Sequence, residues 1–273
     1  MKPTATLLLS FLPLLGLAAD PSAGDPKPSE TSQAGEDLAQ QLANPIASLV
    51  SVPLQSNLDF GIGPENATRY TLNIQPVAPF TLNDEWNLIT RTIVPVINSE
   101  SPAPGVPSAF GLGDVVQSFF LSPKDAVGGW IVGGGPVALY PSASEDSLGT
   151  GKWGLGPTGV ALKQVGPWTF GALANHLWSV GGDSDRGDVN ATFLNPFASY
   201  VTSTKTTFTI SPELTYDWEA EQWLAPANLV VSQLFALGRQ PIQVAFGGRY
   251  YFDAPSGGPE WGLRLSVVFL FPK

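Results

Sequence analysis

Residues 206–218, TTFTISPELTYDW, place Phe208, Ile210, Pro212, Leu214, Tyr216 and Trp218 on one phase of a two-residue repeat. Thr207, Thr209, Ser211, Glu213, Thr215 and Asp217 take the other. A strand sends alternate side chains to opposite faces, so this stretch has one oily wall and one wet wall. The same period sets in near Ser51 and continues to the end of the chain. It predicts strands over 51–62, 68–75, 85–97, 112–122, 129–139, 152–163, 168–179, 189–201, 206–218, 223–235, 241–252 and 261–271. Most exceed the roughly 5–6 residues typical of globular strands. They match the roughly 9–11 that cross a bilayer at a tilt. Twelve is an even number, as bacterial single-chain membrane barrels require.

The phase of the charges sets which wall faces outward. Asp59, Arg69, Arg91, Glu213, Asp217, Arg249 and Arg264 all fall on the wet phase. The other phase carries Leu58, Phe60 and Ile62, and late in the chain Leu263, Leu265, Val267, Phe269 and Phe271. An arginine facing lipid at mid-membrane costs about 2–4 kcal/mol, which keeps it off that face. A soluble barrel with the oily face inward uses about eight strands around one small ligand. Twelve long strands would leave an apolar lumen too wide to fill. The expected fold is therefore all-β: an antiparallel up-and-down transmembrane β-barrel of about 12 strands, oily face to lipid and water inside.

Charged residues make up only 13% of the chain, and the net charge of −10 rests on 13 basic residues. Phosphate binding needs clustered Lys and Arg, so a nucleic-acid partner is not expected. The absence of cysteine excludes disulfides, thiolate metal sites and a cysteine nucleophile. No cofactor is implied. The opening, MKPTATLLLSFLPLLGLAAD, has the charge, apolar core and small residues of a cleaved signal peptide over 1–19. Residues 20–50 read as a Pro/Ser/Gly-rich linker followed by a short helix, with Leu38, Leu42 and Ile46 at helical spacing. Residues 51–273 form the expected barrel domain.

The eight tryptophans all sit near predicted strand ends, where amphipathic rings favour the headgroup region. With a periplasmic N-terminus, NSESPAPGVPSAFG, PSASEDSLGTG and VGGDSDRGD are outer loops, and QVGP and TSTK are tight inner turns. PVAPFTLND is a longer inner connection. GGWIVGGGPVALY and GKWGLGPTGVALK alternate poorly, as expected where the wall bends or the N-terminal segment comes close.

GLGDVVQSFFLSPK, GKWGLGPTGVALKQVGPWTFGALANHLWSV and RYYFDAPSGGPEWGLRLSVVFLFPK resemble a known family. The chain from about Asp37 onward is similar to the outer-membrane β-barrel proteins grouped as MetA-pathway of phenol degradation, often labelled transporters. The resemblance implies an exported outer-membrane barrel, inserted by the barrel-assembly machinery, that takes up small aromatic or other hydrophobic compounds. It carries no catalytic residues.

Folding the last hairpin symmetrically about DAPSGGPE sets Arg249 opposite Arg264 on the wet face, and barrel closure brings Asp59 beside them. Two readings follow: a structural Arg–carboxylate ladder, or a basic constriction selecting anionic or polar solutes. Arg69 and Arg91, facing Asp217 or Glu213 across the pore, would extend either. His176 is the only histidine. A barrel lipase would need it as general base, but alternation puts Asn175 on the opposite face, which favours packing. In GGDSDRGD the acids lack calcium-loop spacing, and Arg186-Gly187-Asp188 is too short to imply adhesion. GTGKWG matches a phosphate-loop pattern but opens a strand. Asn66 and Asn190 head glycosylation sequons by pattern alone. The expected function is the binding or passage of small solutes through a polar lumen. The alternatives are a barrel enzyme such as a lipase, or a structural or adhesive barrel with a closed lumen.

Overall fold

The computed structural model describes residues 38–272. The expected leader and most of the linker fall outside them. Sixteen strand segments are β1 (Val50–Ile62), β2 (Ala67–Ile74), β3 (Val77–Thr81), β4 (Trp86–Ser99), β5 (Ala109–Leu112), β6 (Val115–Pro123), β7 (Ile131–Tyr140) and β8 (Lys152–Val165). They continue as β9 (Trp168–Gly182), β10 (Asn190–Val201), β11 (Thr206–Pro212), β12 (Leu214–Asp217), β13 (Gln222–Leu224), β14 (Pro226–Leu237), β15 (Gln240–Tyr251) and β16 (Trp261–Phe271). Four pairs, β2/β3, β5/β6, β11/β12 and β13/β14, are single spans interrupted by a kink, which leaves twelve spans in the wall. All pairings are antiparallel, and β1 closes the barrel on β16 from Val50↔Phe271 to Phe60↔Trp261.

The second span differs most from expectation. Strand geometry resumes after Gln75-Pro76 and runs to Thr81, pairing Val77 with Arg91. PVAPFTLND is thus mostly wall, and the inner connection shrinks to residues 82–85. Pro76 and Pro79 disguise the strand, because proline is rare within one.

The two faces are inverted relative to a soluble protein. Leu229 is 65% exposed, Leu237 70% and Phe246 59%, whereas Asn228 is fully buried and Arg264 is 6% exposed. None of the four wet-phase arginines points outward in an apolar row. Paired aromatics mark both rims: Phe60 stacks on Trp261 at 4.4 Å and Tyr216 meets Trp218 edge to face at 4.7 Å at one end, and Trp168 lies tilted against Tyr200 at 4.9 Å at the other. Lys163 lies over the Trp130 ring at 6.0 Å, its ammonium near the rim.

The lumen departs from the expected water-filled cylinder. A short helix at residues 38–42 and the segment after it fold into the end that carries the tight turns. Ile46 packs among Ile89, Phe120, Val160, Leu162 and Leu173, and Leu49 among Val201, Leu234, Val268 and Leu270. Gly133 makes room for this: a Cβ there would lie 3.0 Å from the Ile46 side chain. Gln164 Nε2 donates to the Gln40 carbonyl at 2.8 Å, and Asn87 Nδ2 to Ser48 Oγ at 3.0 Å. One half of the lumen is therefore an apolar core closed by a plug, and the other half is polar.

The long connections at the opposite end are cross-tied. Asp114 accepts from Ala143 N at 3.1 Å and from Thr150 N at 2.6 Å. Arg186 donates to the carbonyls of Asp146 at 2.7 Å and of Gly149. Lys152 Nζ pairs with Asp188 at 3.1 Å. Arg186 and Asp188 are thus folded into the loop network, not displayed as an adhesive tripeptide.

If the oily face meets hydrocarbon, Leu229→Arg should lower refolding stability in lipid vesicles by about 2–4 kcal/mol, read from a guanidinium titration. Donation by Lys152 and Ser179, with the Lys152 charge, holds the Asp188 carboxyl below its ordinary range. A depressed folded pKa means the tie is fully present above the usual carboxylate value and is lost as pH falls through the lower one. Protease cleavage within 183–189 should therefore stay slow at neutral and mildly acidic pH and accelerate only below that range.

Candidate functional site: an arginine–carboxylate cluster in the upper lumen

Five neighbouring spans carry the polar cluster. Glu213 sits at the kink between β11 and β12. Asn228 follows on β14, Arg249 on β15, Arg264 on β16, and Asn57 and Asp59 on β1. Alternation puts all of them on the lumen face. Arg264 grips Glu213 through both terminal guanidinium nitrogens, Nη1–Oε1 at 2.8 Å and Nη2–Oε2 at 2.9 Å, while its Nε donates to Asn57 Oδ1 at 2.8 Å. This planar two-point grip is the strong form of the pair. Arg249 is held more loosely, 3.6 Å from Glu213 and 3.6 Å from Asp59. Neither Arg249 Nε nor Asp59 Oδ1 has a hydrogen-bond partner, although both are buried.

The two arginines are not directly opposed, as symmetric folding of the hairpin implied. The register pairs Arg249 with Gly262 and Arg264 with Gly247, an offset of two residues. Each guanidinium chain thereby runs over a glycine, and Glu213 bridges both charges instead of leaving them face to face. A Cβ at Gly262 would lie 2.5 Å from Asp59 Oδ1, so the glycine also admits the carboxylate.

Arg69 is the Cα partner of Asp59 across the β1–β2 ladder, yet it has no carboxylate within ion-pair distance among the described residues. It is exposed to a cavity of about 470 Å³ lined also by Asn73, Glu213, Leu224, Arg249 and Arg264, under the loop residues Pro255 to Pro259. Three guanidinium groups thus share two carboxylates, a local excess of one positive charge.

Two expected members lie elsewhere. Arg91 stands lower, donating to Gln75 Oε1 at 2.7 Å and lining smaller cavities beside Leu42 and Pro45 of the plug. Asp217 leaves the lumen altogether: its carboxylate accepts from Glu219 N at 2.9 Å and Ala220 N at 3.1 Å, capping the β12–β13 turn. A carboxylate one residue before a hairpin turn is drawn to the free turn N–H groups. Asn57, Asn228 and Gln75 were missed, because neutral amides on the wet phase look like generic lining.

His176 does not assemble a catalytic group. Its Nδ1 lies 2.7 Å from Thr192 Oγ1, its ring packs tilted against Trp178 at 4.0 Å, and its Nε2 is buried without a partner. Ser179 bonds instead to Asp188 at 3.1 Å. Among the described residues, no group of His or acidic side chains is arranged to hold a metal.

No protein-family model and no curated protein matches the chain. Solved structures do. The COG4313 outer membrane channel from Pseudomonas putida F1 superposes with a TM-score of 0.63 at 14% identity, covering 82% of this chain and 94% of that one. The NanC porin matches with a TM-score of 0.50 at 12% identity, covering 80% of this chain and 98% of that one. What the chain shares with both is its barrel fold.

Replacing Glu213 by Gln should leave Arg264 without a counter-charge and Arg249 with only Asp59, 3.6 Å away. The expected loss is roughly 2–4 kcal/mol of barrel stability, less than a fully buried pair would lose because Glu213 keeps some contact with water. Denaturant midpoints of refolded wild-type and variant protein measure it.

Proposed function

We propose that the protein is an outer-membrane channel that binds and passes small solutes bearing an anionic or polar group on a compact hydrophobic or aromatic body. The observation that carries this reading is the upper cavity, where Arg69 projects free beside a loosely held Arg249 and brings one uncompensated positive charge. A guanidinium whose partners sit at 3.6 Å can exchange them for a solute carboxylate at small net cost, because neither existing contact is a good hydrogen bond. The apolar rows below would receive the hydrophobic part of the solute. The barrel fold shared with the Pseudomonas putida channel, and the resemblance to phenol-pathway barrels often labelled transporters, support the same class. No bond is made or broken; selectivity follows from charge, pore width and desolvation.

Barrels of this kind keep short turns on the periplasmic side and longer loops outside. The plug then lies at the periplasmic mouth and the arginine cluster faces the cell exterior. Passage along the axis requires the plug to yield. The plug also favours a second reading, a structural barrel with a permanently closed lumen.

Single-channel recording in planar bilayers separates the two. Removing residues 38–49 should convert a low, intermittent conductance into a large steady one. In that background, Arg69→Ala should shift the reversal potential toward cation preference and weaken block by benzoate. A plug deletion that still conducts nothing would establish the closed structural barrel instead.

A further inference from the structure

Of the four lumen arginines, Arg91 is the one that the upper cluster does not explain. It lies on β4, between Val77 of β3 and Ser118 of β6. Its Nη2 donates to Gln75 Oε1 at 2.7 Å, and no carboxylate among the described residues is within ion-pair distance of it. A neutral amide oxygen satisfies one of its N–H groups and none of its charge. Gln75 is itself held, 6% exposed and with its N–H donating to the Pro53 carbonyl at 2.9 Å. The guanidinium is thus oriented by a fixed partner while its charge stays uncompensated.

Two chambers flank it. One of about 140 Å³ is lined also by Gln41, Asn44 and Gln75, and one of about 200 Å³ by Ser199, Thr209 and Phe197. Arg91, Leu42 and Pro45 line both, so each chamber abuts the guanidinium and the plug. Neither lining includes an aspartate or a glutamate. The Ser199 and Thr209 hydroxyls bond to each other at 2.8 Å. Whichever donates, that bond uses one hydroxyl proton and leaves the other for a guest.

The plug is pinned on either side of these chambers and not along them. Gln40 Nε2 donates to the Gly166 carbonyl at 2.6 Å, its own carbonyl accepts from Gln164, and Ser48 accepts from Asn87. Between these ties, residues 41–45 bond only within the segment, as in Asn44 N to the Gln41 carbonyl at 3.0 Å. The chambers also continue the upper cavity along two spans. Ser211 lines the larger chamber and Glu213 the upper cavity, and Gln75 lines the smaller chamber and Asn73 the upper cavity. Each pair is two residues apart on the lumen face, roughly 6–7 Å along the wall.

We propose that Arg91 and plug residues 42–45 form a second, lower anion site, which takes the carboxylate of a small organic acid descending from the upper cavity. The chamber of about 200 Å³ is smaller than the roughly 300 Å³ at which pockets for drug-sized ligands begin, so its guest is no larger than a single-ring acid. The carboxylate accepts from the Arg91 N–H groups that Gln75 does not use, and the body of the acid rests on Leu42, Pro45 and Phe197. The plug is then one wall of a binding site, and a solute lodged there touches the segment it has to displace. The site rests on the channel reading for the delivery of its guest, but it is tested separately.

Refolded full-length protein is crystallised with para-bromobenzoate, and the bromine is located by its anomalous scattering. Two positions are expected, one beside Arg69 and Arg249 and one beside Arg91. Arg91→Gln should erase the lower bromine and leave the upper one. In solution, fluorine NMR follows the binding of para-fluorobenzoate to an Arg69→Ala protein, whose upper site is silenced. Adding Arg91→Gln should weaken that binding at least about tenfold, as loss of a charge-assisted pair predicts, and Arg91→Lys should restore most of it. The heat-dependent gel shift checks that each variant is folded. No bromine at Arg91, or one that survives Arg91→Gln, overturns the lower site whatever the upper cavity holds. Bromine at Arg91 with none at Arg69 upholds the lower site and counts against the upper one. Solution binding that Arg91→Gln leaves unchanged overturns the lower site independently.

Discussion

A wall immersed in hydrocarbon has no water to satisfy its peptide groups, so every strand must find a neighbour on both sides. That requirement forces β1 onto β16 and makes the barrel closed. It also turns the amphipathic pattern inside out, because the only place left for charge is the lumen. The girdles, the offset of the last hairpin and the kinked spans are adjustments made within that single demand.

The lumen is divided by chemistry. Toward the long loops, Arg264, Glu213 and Asn57 form a rigid, fully bonded unit, and Arg249, Asp59 and Arg69 are left underbonded around a cavity. Toward the tight turns, aliphatic side chains from the wall and from residues 38–49 interdigitate as they would in a soluble core. A tightly paired arginine maintains the shape of the chamber while a second, a few ångströms away, keeps unfilled hydrogen-bonding capacity.

The strand count, the span positions and the sidedness were legible from the two-residue repeat, since lipid tolerates no mistakes of phase. Asp59 lies beside Arg249 and Arg264, as expected, because their phase is unambiguous and barrel closure must bring β1 beside β16, whereas the bridging of both arginines by Glu213 was not foreseen. The hairpin register was not legible. A symmetric fold is the simplest guess, whereas Gly247 and Gly262 draw each arginine two residues out of line. Asp217 shared the phase of the cluster but obeyed its nearest neighbours in the turn. The apolar half of the lumen escaped notice because Phe120, Leu162 and Leu173 sit on the phase expected to be wet, and only the packed segment explains them. The poor alternation of the glycine-rich strands was its one visible trace.

The plug has a consequence for how the molecule is made. Leu49, just ahead of the first strand, rests on Val268 and Leu270 of the last, with Leu234 beside them. Its seat therefore does not exist until synthesis is complete and the seam has shut. A partly built sheet would offer that segment only half a nest, so its settling marks the end of biogenesis, and an unfinished barrel cannot be stoppered ahead of time.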